Sequence, residues 1–197
     1  MTKTFRALTR VASAVAALAV FGSLAGCGDL TRPKAVYENF TDTLVLYSIN
    51  GTPVDAPSGL WLSQRAAIPV NASFSFDLAF DIDAQGQARL YTVRAVAGGL
   101  SAAHTVGLLR ATQGFDALTE APQSGFTTDS SFTASKGDVF AVVATDAQCV
   151  TSFFSNQMYS KVEILDVDPG NRTVKARFTV NPNCGYLSLA PTGIPNR

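Results

Sequence analysis

Apolar and polar residues alternate along much of this chain with the two-residue period of a half-buried strand. The clearest run is Phe74 to Ile82: Phe74, Phe76, Leu78, Phe80 and Ile82 share one face, and Ser75, Asp77, Ala79 and Asp81 share the other. Asp83-Ala84-Gln85-Gly86 turns the chain into a second strand-like segment, Arg89 to Val96, which Gly98-Gly99 breaks. Thr43 to Ile49 is rich in β-branched and aromatic residues and ends in the turn cluster Asn50-Gly51-Thr52-Pro53. Gly59 to Leu62 is a short apolar piece carrying Trp61, and His104 to Arg110 reads as a further strand. Val139 to Thr145 is continuously apolar, as a strand buried on both faces is.

The strongest hairpin pairs Tyr159 to Val167 with Thr173 to Val180 around Asp168-Pro169-Gly170-Asn171. On its second arm Val174, Ala176, Phe178 and Val180 are expected to face inward, and Thr173, Lys175, Arg177 and Thr179 to face water. Phe115 to Ser124 is weakly patterned and holds Pro122, which predicts loop or a single helical turn; Asn181 to Tyr186 reads as a loop tail. No helical period of useful length follows residue 27. Eight or nine mostly antiparallel strands are expected, in an all-β sandwich or open barrel.

The first 26 residues pattern differently and predict a cleaved signal helix. Lys3, Arg6 and Arg10 form a basic start, and Val11 to Phe21 is uncharged and apolar. That stretch is shorter than the roughly 20 residues a membrane-spanning helix needs. Leu24-Ala25-Gly26-Cys27 then reads as a lipobox, with two small residues before the cysteine whose thiol takes a diacylglycerol. The expected organisation is a signal peptide over 1–26, a lipidated tether over 27–36 and one β-rich domain over 37–197. Gly28 follows the cysteine in place of the aspartate that retains lipoproteins at the inner membrane, which points to the outer membrane; Asp29 comes one place later.

Loss of the three leading basic residues leaves twelve Lys and Arg against fifteen Asp and Glu. With no basic stripe, the chain has nothing to recruit nucleic-acid phosphates. Its expected partner is the membrane, through the lipid on Cys27. Cys149 and Cys184 remain after Cys27 is used, and in an oxidising compartment they read as a disulfide. Two buried thiols are the alternative. A metal pair is disfavoured, because the chain has one histidine and neither cysteine has a nearby second ligand.

Catalytic templates are missing: there is no Gly-x-Ser-x-Gly elbow, no His-Glu-x-x-His and no phosphate-binding glycine loop. His104 is the only imidazole, so a Ser-His-Asp triad would have to use it; the plain alternative is a strand-end histidine without a catalytic role. Asp77 and Asp81 on one strand face would lie about 13–14 Å apart, beyond the roughly 5–9.5 Å that paired-acid hydrolysis uses. Asp81 and Asp83 would be closer, at about 7 Å, but both are expected to face water. Asp81-x-Asp83-x-Gln85-Gly86 also resembles the start of a calcium loop, yet Thr92 stands where the loop needs a glutamate. Asp166-x-Asp168 is a weaker case of the same pattern. Phe153, Phe154, Met158 and Tyr159 form an apolar cluster that either caps the core or presents a sticky patch.

Several short motifs recur in the order of a known family. Phe76-Asp77-Leu78-Ala79-Phe80, Ala121-Pro122 through Gly125-Phe126-Thr127-Thr128-Asp129, Val139-Phe140-Ala141-Val142-Val143 and Tyr159-Ser160-Lys161-Val162 together resemble the HmuY-like lipoproteins. The similarity spans about residues 74–180 and leaves 28–73 uncovered. It implies a lipid-anchored, β-rich protein, and some members of that family bind haem. In those members two ligands come from a long insertion that here is only Ser130 to Asp138, without His or Met. His104 and Met158 are the sole candidate axial ligands of the mature chain and neither matches in position, so no cofactor-binding residue is carried over. The leading expectation is a non-catalytic, lipid-anchored envelope binding module with no cofactor. A haem-binding surface lipoprotein and a secreted hydrolase with an unrecognised site are the alternatives.

Overall fold

Among the described residues ten strands form two antiparallel five-stranded sheets. The computed structural model describes residues 34–194 except 72, 99–103, 150–151 and 153–154. The signal peptide, Cys27, Phe153 and Phe154 therefore lie outside the described residues. The first sheet runs in the order β1 (Phe40–Tyr47), β10 (Thr173–Asn181), β9 (Gln157–Asp168), β8 (Val139–Thr145) and β6 (Val106–Arg110). The second runs β3 (Ala66–Ile68), β2 (Gly59–Trp61), β4 (Leu78–Ile82), β5 (Ala88–Thr92) and β7 (Ser131–Thr133). The arrangement is the expected sandwich, with β3 and β7 as short strands that the sequence pattern did not reveal.

The core between the sheets is built from the alternation itself. Phe80, Leu90 and Phe132 lie opposite one another across β4, β5 and β7. Phe132 meets Phe140 of the other sheet edge-on at 5.8 Å between ring centres. From the first sheet Phe140, Val142, Val162, Ile164 and the expected Val174, Ala176, Phe178 and Val180 fill the same layer. Strand β8 is buried on both faces, as its continuous apolar run requires. Val139 and Ala141 turn to a second apolar layer made with Phe115, Leu118, Ala121, Tyr159 and Leu189. The loop after β6 and the C-terminal tail form that layer, joined by the bridge Glu120–Ser188.

Three expectations about strand ends and about the outer face of β10 need correction. The segment Arg89 to Val96 is not one strand: β5 stops at Thr92 and a single turn of helix, α1 (Val93–Ala97), follows. Gly98 caps it in the left-handed conformation, at φ 60°, with its N–H returning to Arg94 O. The run beginning at Phe74 pairs only from Leu78, because Phe74 itself sits in a turn at φ 47°. Thr179, expected to face water, is fully buried and hydrogen-bonds to Thr41 Oγ1, because the tail covers that face of β10.

Candidate functional site

The register of the first sheet defines two poles. Phe40 pairs with Val180, Asn181 with Tyr159, Gln157 with Thr145 and Ala144 with Val106, so these residues share the proximal pole, where the chain enters. Tyr47, Thr173, Asp168 and Arg110 mark the distal pole.

At the proximal pole His104 Nε2 is 3.0 Å from Asp77 Oδ1. Asp77 is buried, and its other carboxylate oxygen accepts the Leu62 N–H at 2.7 Å. This corrects the expectation that the polar face of Phe74–Ile82 is solvated. The start of β4 tucks under the β2–β3 turn, which removes water and supplies a donor in its place. Ser63, on that turn, has a buried hydroxyl oxygen with no partner among the described residues. Ser63, Asp77, Asp146, Met158 and Ser160 border a cavity of about 10 Å³, roughly the space of one water. His104 is thus tied to a carboxylate the sequence had placed in solvent. Met158 is core, on the opposite face of β9 from Tyr159, which joins the second apolar layer.

Two further features hold this pole together. The Cys149–Cys184 disulfide is formed, with Cα atoms 5.5 Å apart, inside the range such a bond needs. It joins the 3-10 turn after β8 (Ala147–Cys149) to the tail after β10. Beside it, Asn183 Oδ1 accepts the N–H groups of Val36 and Tyr37 at 2.9 and 3.0 Å, and Asn183 Nδ2 donates to Tyr37 O. Asn39 Nδ2 donates to Ser188 O and Ala190 O, and Asn39 N donates to Gly193 O. The entering segment is thereby stitched to the tail, a role for Asn39 and Asn183 that no sequence pattern announces.

At the distal pole Asp81 is also buried, contrary to expectation. Ser48 Oγ and the Asn50 N–H donate to its Oδ1 at 2.5 and 2.9 Å, and Asn50 Nδ2 donates to its Oδ2 at 2.7 Å. Arg172 completes the hub by donating to Asn50 O, Ser48 Oγ and Ile82 O. Asp83 accepts from the N–H groups of Gln85 and Gln87 and from Arg89. Those turn N–H groups, Gln87's above all, hold its carboxyl below the usual value. Both carboxylates are therefore committed to turn and loop donors. Among the described residues no group of three or more His, Cys, Asp or Glu is placed to hold a metal. Asp168 likewise accepts the N–H and side-chain amide of Asn171 and is held below its usual value by them.

A cleft of about 510 Å³ opens at this pole between the β4–β5 turn (Gly86, Gln87), the β7–β8 loop (Thr133 to Lys136) and the β9–β10 turn (Pro169). Lys136 brings a charge to its lining and lies 3.5 Å from Asp166. A polar groove of about 290 Å³ lies towards the proximal pole, against β6 and β8. Gly107 forms part of its floor, where any Cβ would collide with Phe126 and Val143.

Lys161 is a polar group that sequence reasoning passed over. It is fully buried on the outer face of β9, and its Nζ donates to Phe115 O at 2.6 Å and Leu118 O at 2.9 Å. The ammonium also lies over the Phe115 ring. Burial pushes its pKa down, opposed by the nearby Asp116. Its role is to clasp the 115–118 loop to the sheet. Comparison with protein-family models, with curated proteins and with solved structures finds no match for this chain.

Proposed function

We propose that this chain is a lipid-anchored interaction module of the bacterial cell envelope, without catalytic activity and held at the outer membrane by Cys27. The observation that carries the reading is the lipobox Leu24-Ala25-Gly26-Cys27 behind a basic start and a short apolar stretch. A disulfide-locked sandwich suits an oxidising compartment. Among the described residues no helix is long and apolar enough to cross a membrane; in this reading the lipid supplies the attachment. Among the described residues the distal cleft, at about 510 Å³, is large enough to take a ligand or a partner's loop.

Metabolic labelling with a palmitate analogue tests the reading. Wild type is expected to take up label and Cys27→Ser is not; equal labelling of the two would refute it.

One observation favours a hydrolase as a second reading. Asp77 orients His104, and the Ser63 hydroxyl, without a partner among the described residues, borders the same small cavity as Asp77. Against it, that cavity is too small for a substrate. A fluorophosphonate probe is expected to leave the protein unlabelled, and labelling of Ser63 would establish the hydrolase instead. The haem function that the HmuY-like resemblance implies gains no support from the geometry. His104 is hydrogen-bonded through Nε2 to Asp77, and Met158 is packed in the core.

A further inference from the structure

Among the described residues six large apolar side chains are exposed. Val45, Tyr47 and Val54 belong to β1 and the loop after it, toward the distal pole; the other three are Val36, 70% exposed, Tyr37, 63%, and Ile194, 54%. All three lie at the proximal pole, since Asn183 holds the backbone of Val36 and Tyr37, and Asn39 bonds to Gly193, the neighbour of Ile194. Their backbones are ordered by these bonds and by the adjacent disulfide at Cys184, so the side chains are presented outward by a braced surface.

In the lipid-anchor reading the chain between anchor and surface is short. Eight residues, Gly28 to Ala35, lie between Cys27 and Val36, so the two are at most about 30 Å apart. A lipid on Cys27 therefore keeps the proximal pole within one domain diameter of the bilayer. At such a distance the effective concentration of the membrane surface is in the millimolar range, so weak apolar contacts suffice to orient the domain.

We propose that Val36, Tyr37 and Ile194 form a membrane-contacting pole that seats in the interfacial layer of the bilayer and holds the distal cleft away from it. This rests on the lipid-anchor reading above. Tyr37 is the residue type that settles at the headgroup level, with an apolar ring and a polar tip. Arg32 and Lys34 are balanced by Asp29 and Glu38, so the contact is apolar and insensitive to salt. Val54 provides an internal control: it is 91% exposed, yet it follows β1 in the loop that meets Arg172 at the distal pole.

The test places the photocrosslinker p-benzoylphenylalanine at position 37, 194 or 54 of the full-length protein, processed in cells and then reconstituted in vesicles of phosphatidylethanolamine and phosphatidylglycerol. Palmitate label is read on the same samples. Lipid adducts are expected at 37 and 194 and several-fold fewer at 54, in low and high salt alike. Adducts no more frequent at 37 than at 54 overturn the oriented contact while the labelled anchor stands. In intact cells, a protein adduct at 37 in place of lipid overturns it equally. Absence of palmitate label removes the anchor, and this inference with it.

Discussion

At the scale of single residues, the buried polar groups decide most of what is testable. His104→Ala leaves the Asp77 carboxylate buried with the Leu62 N–H as its remaining described donor. Loss of a hydrogen bond to a charged group is expected to lower unfolding stability by about 1.5–3 kcal/mol, measurable by urea denaturation. No change would mean that the pair is not made in solution. Lys161→Met abandons two carbonyls, Phe115 O and Leu118 O, and is expected to cost about 1–3 kcal/mol and to speed amide exchange at Leu118. The same variant carries a pH signature. Because the folded-state pKa of Lys161 lies below 10.5, the unfolded chain binds this proton more tightly than the folded one. Stability should therefore rise with pH between the depressed value and 10.5 in wild type, relative to Lys161→Met. Parallel pH curves for the two proteins would contradict the buried ammonium.

At the scale of elements, the disulfide and the hairpin turn carry separable loads. Closing a loop of 35 residues contributes about 3–4 kcal/mol in the chain-entropy model. Reduction is expected to lower stability by no more than that and to raise exchange first in the tail around Asn183 and in the segment after Cys149. Uniform loosening of both sheets would argue against this order. Asp168 stabilises the β9–β10 turn as an ionised acceptor with a lowered pKa. Its contribution is present above 3.8 and is lost as pH falls through the folded value, so Asp168→Ala should flatten the acid limb of the stability curve. The hairpin, β8 and the core face of β10 were legible in the sequence because one alternation rule governs each. The ends of the elements were less so. Val93 to Ala97 looks like a strand until Gly98 supplies the helix stop, and Phe74 fits the alternation while its backbone is turned. Asp77, Asp81 and Thr179 were misplaced for a common reason: each is covered by a loop or tail remote in sequence, and alternation reports a face without reporting what covers it. Lys161 was passed over for the same reason.

At the scale of the whole molecule, the fold separates two ends of one sandwich. The proximal pole gathers the entering segment, the disulfide and Asn183, and the distal pole holds the Asp81–Arg172 hub and the cleft. Asn183→Ala removes the acceptor of two backbone N–H groups. It is expected to free the Val36–Tyr37 segment, seen as proteolytic cleavage there, while the core retains its cooperative unfolding; resistance equal to wild type would contradict the clasp. The lipid anchor stands or falls with the state of Cys27. Mass spectrometry of the N-terminal peptide of protein taken from the envelope reads that state directly. The expected peptide begins at Cys27, lacks residues 1–26 and carries a diacylglycerol on the thiol. An unmodified Cys27, or a mature chain that begins at another residue, would contradict the lipid anchor and everything built on it.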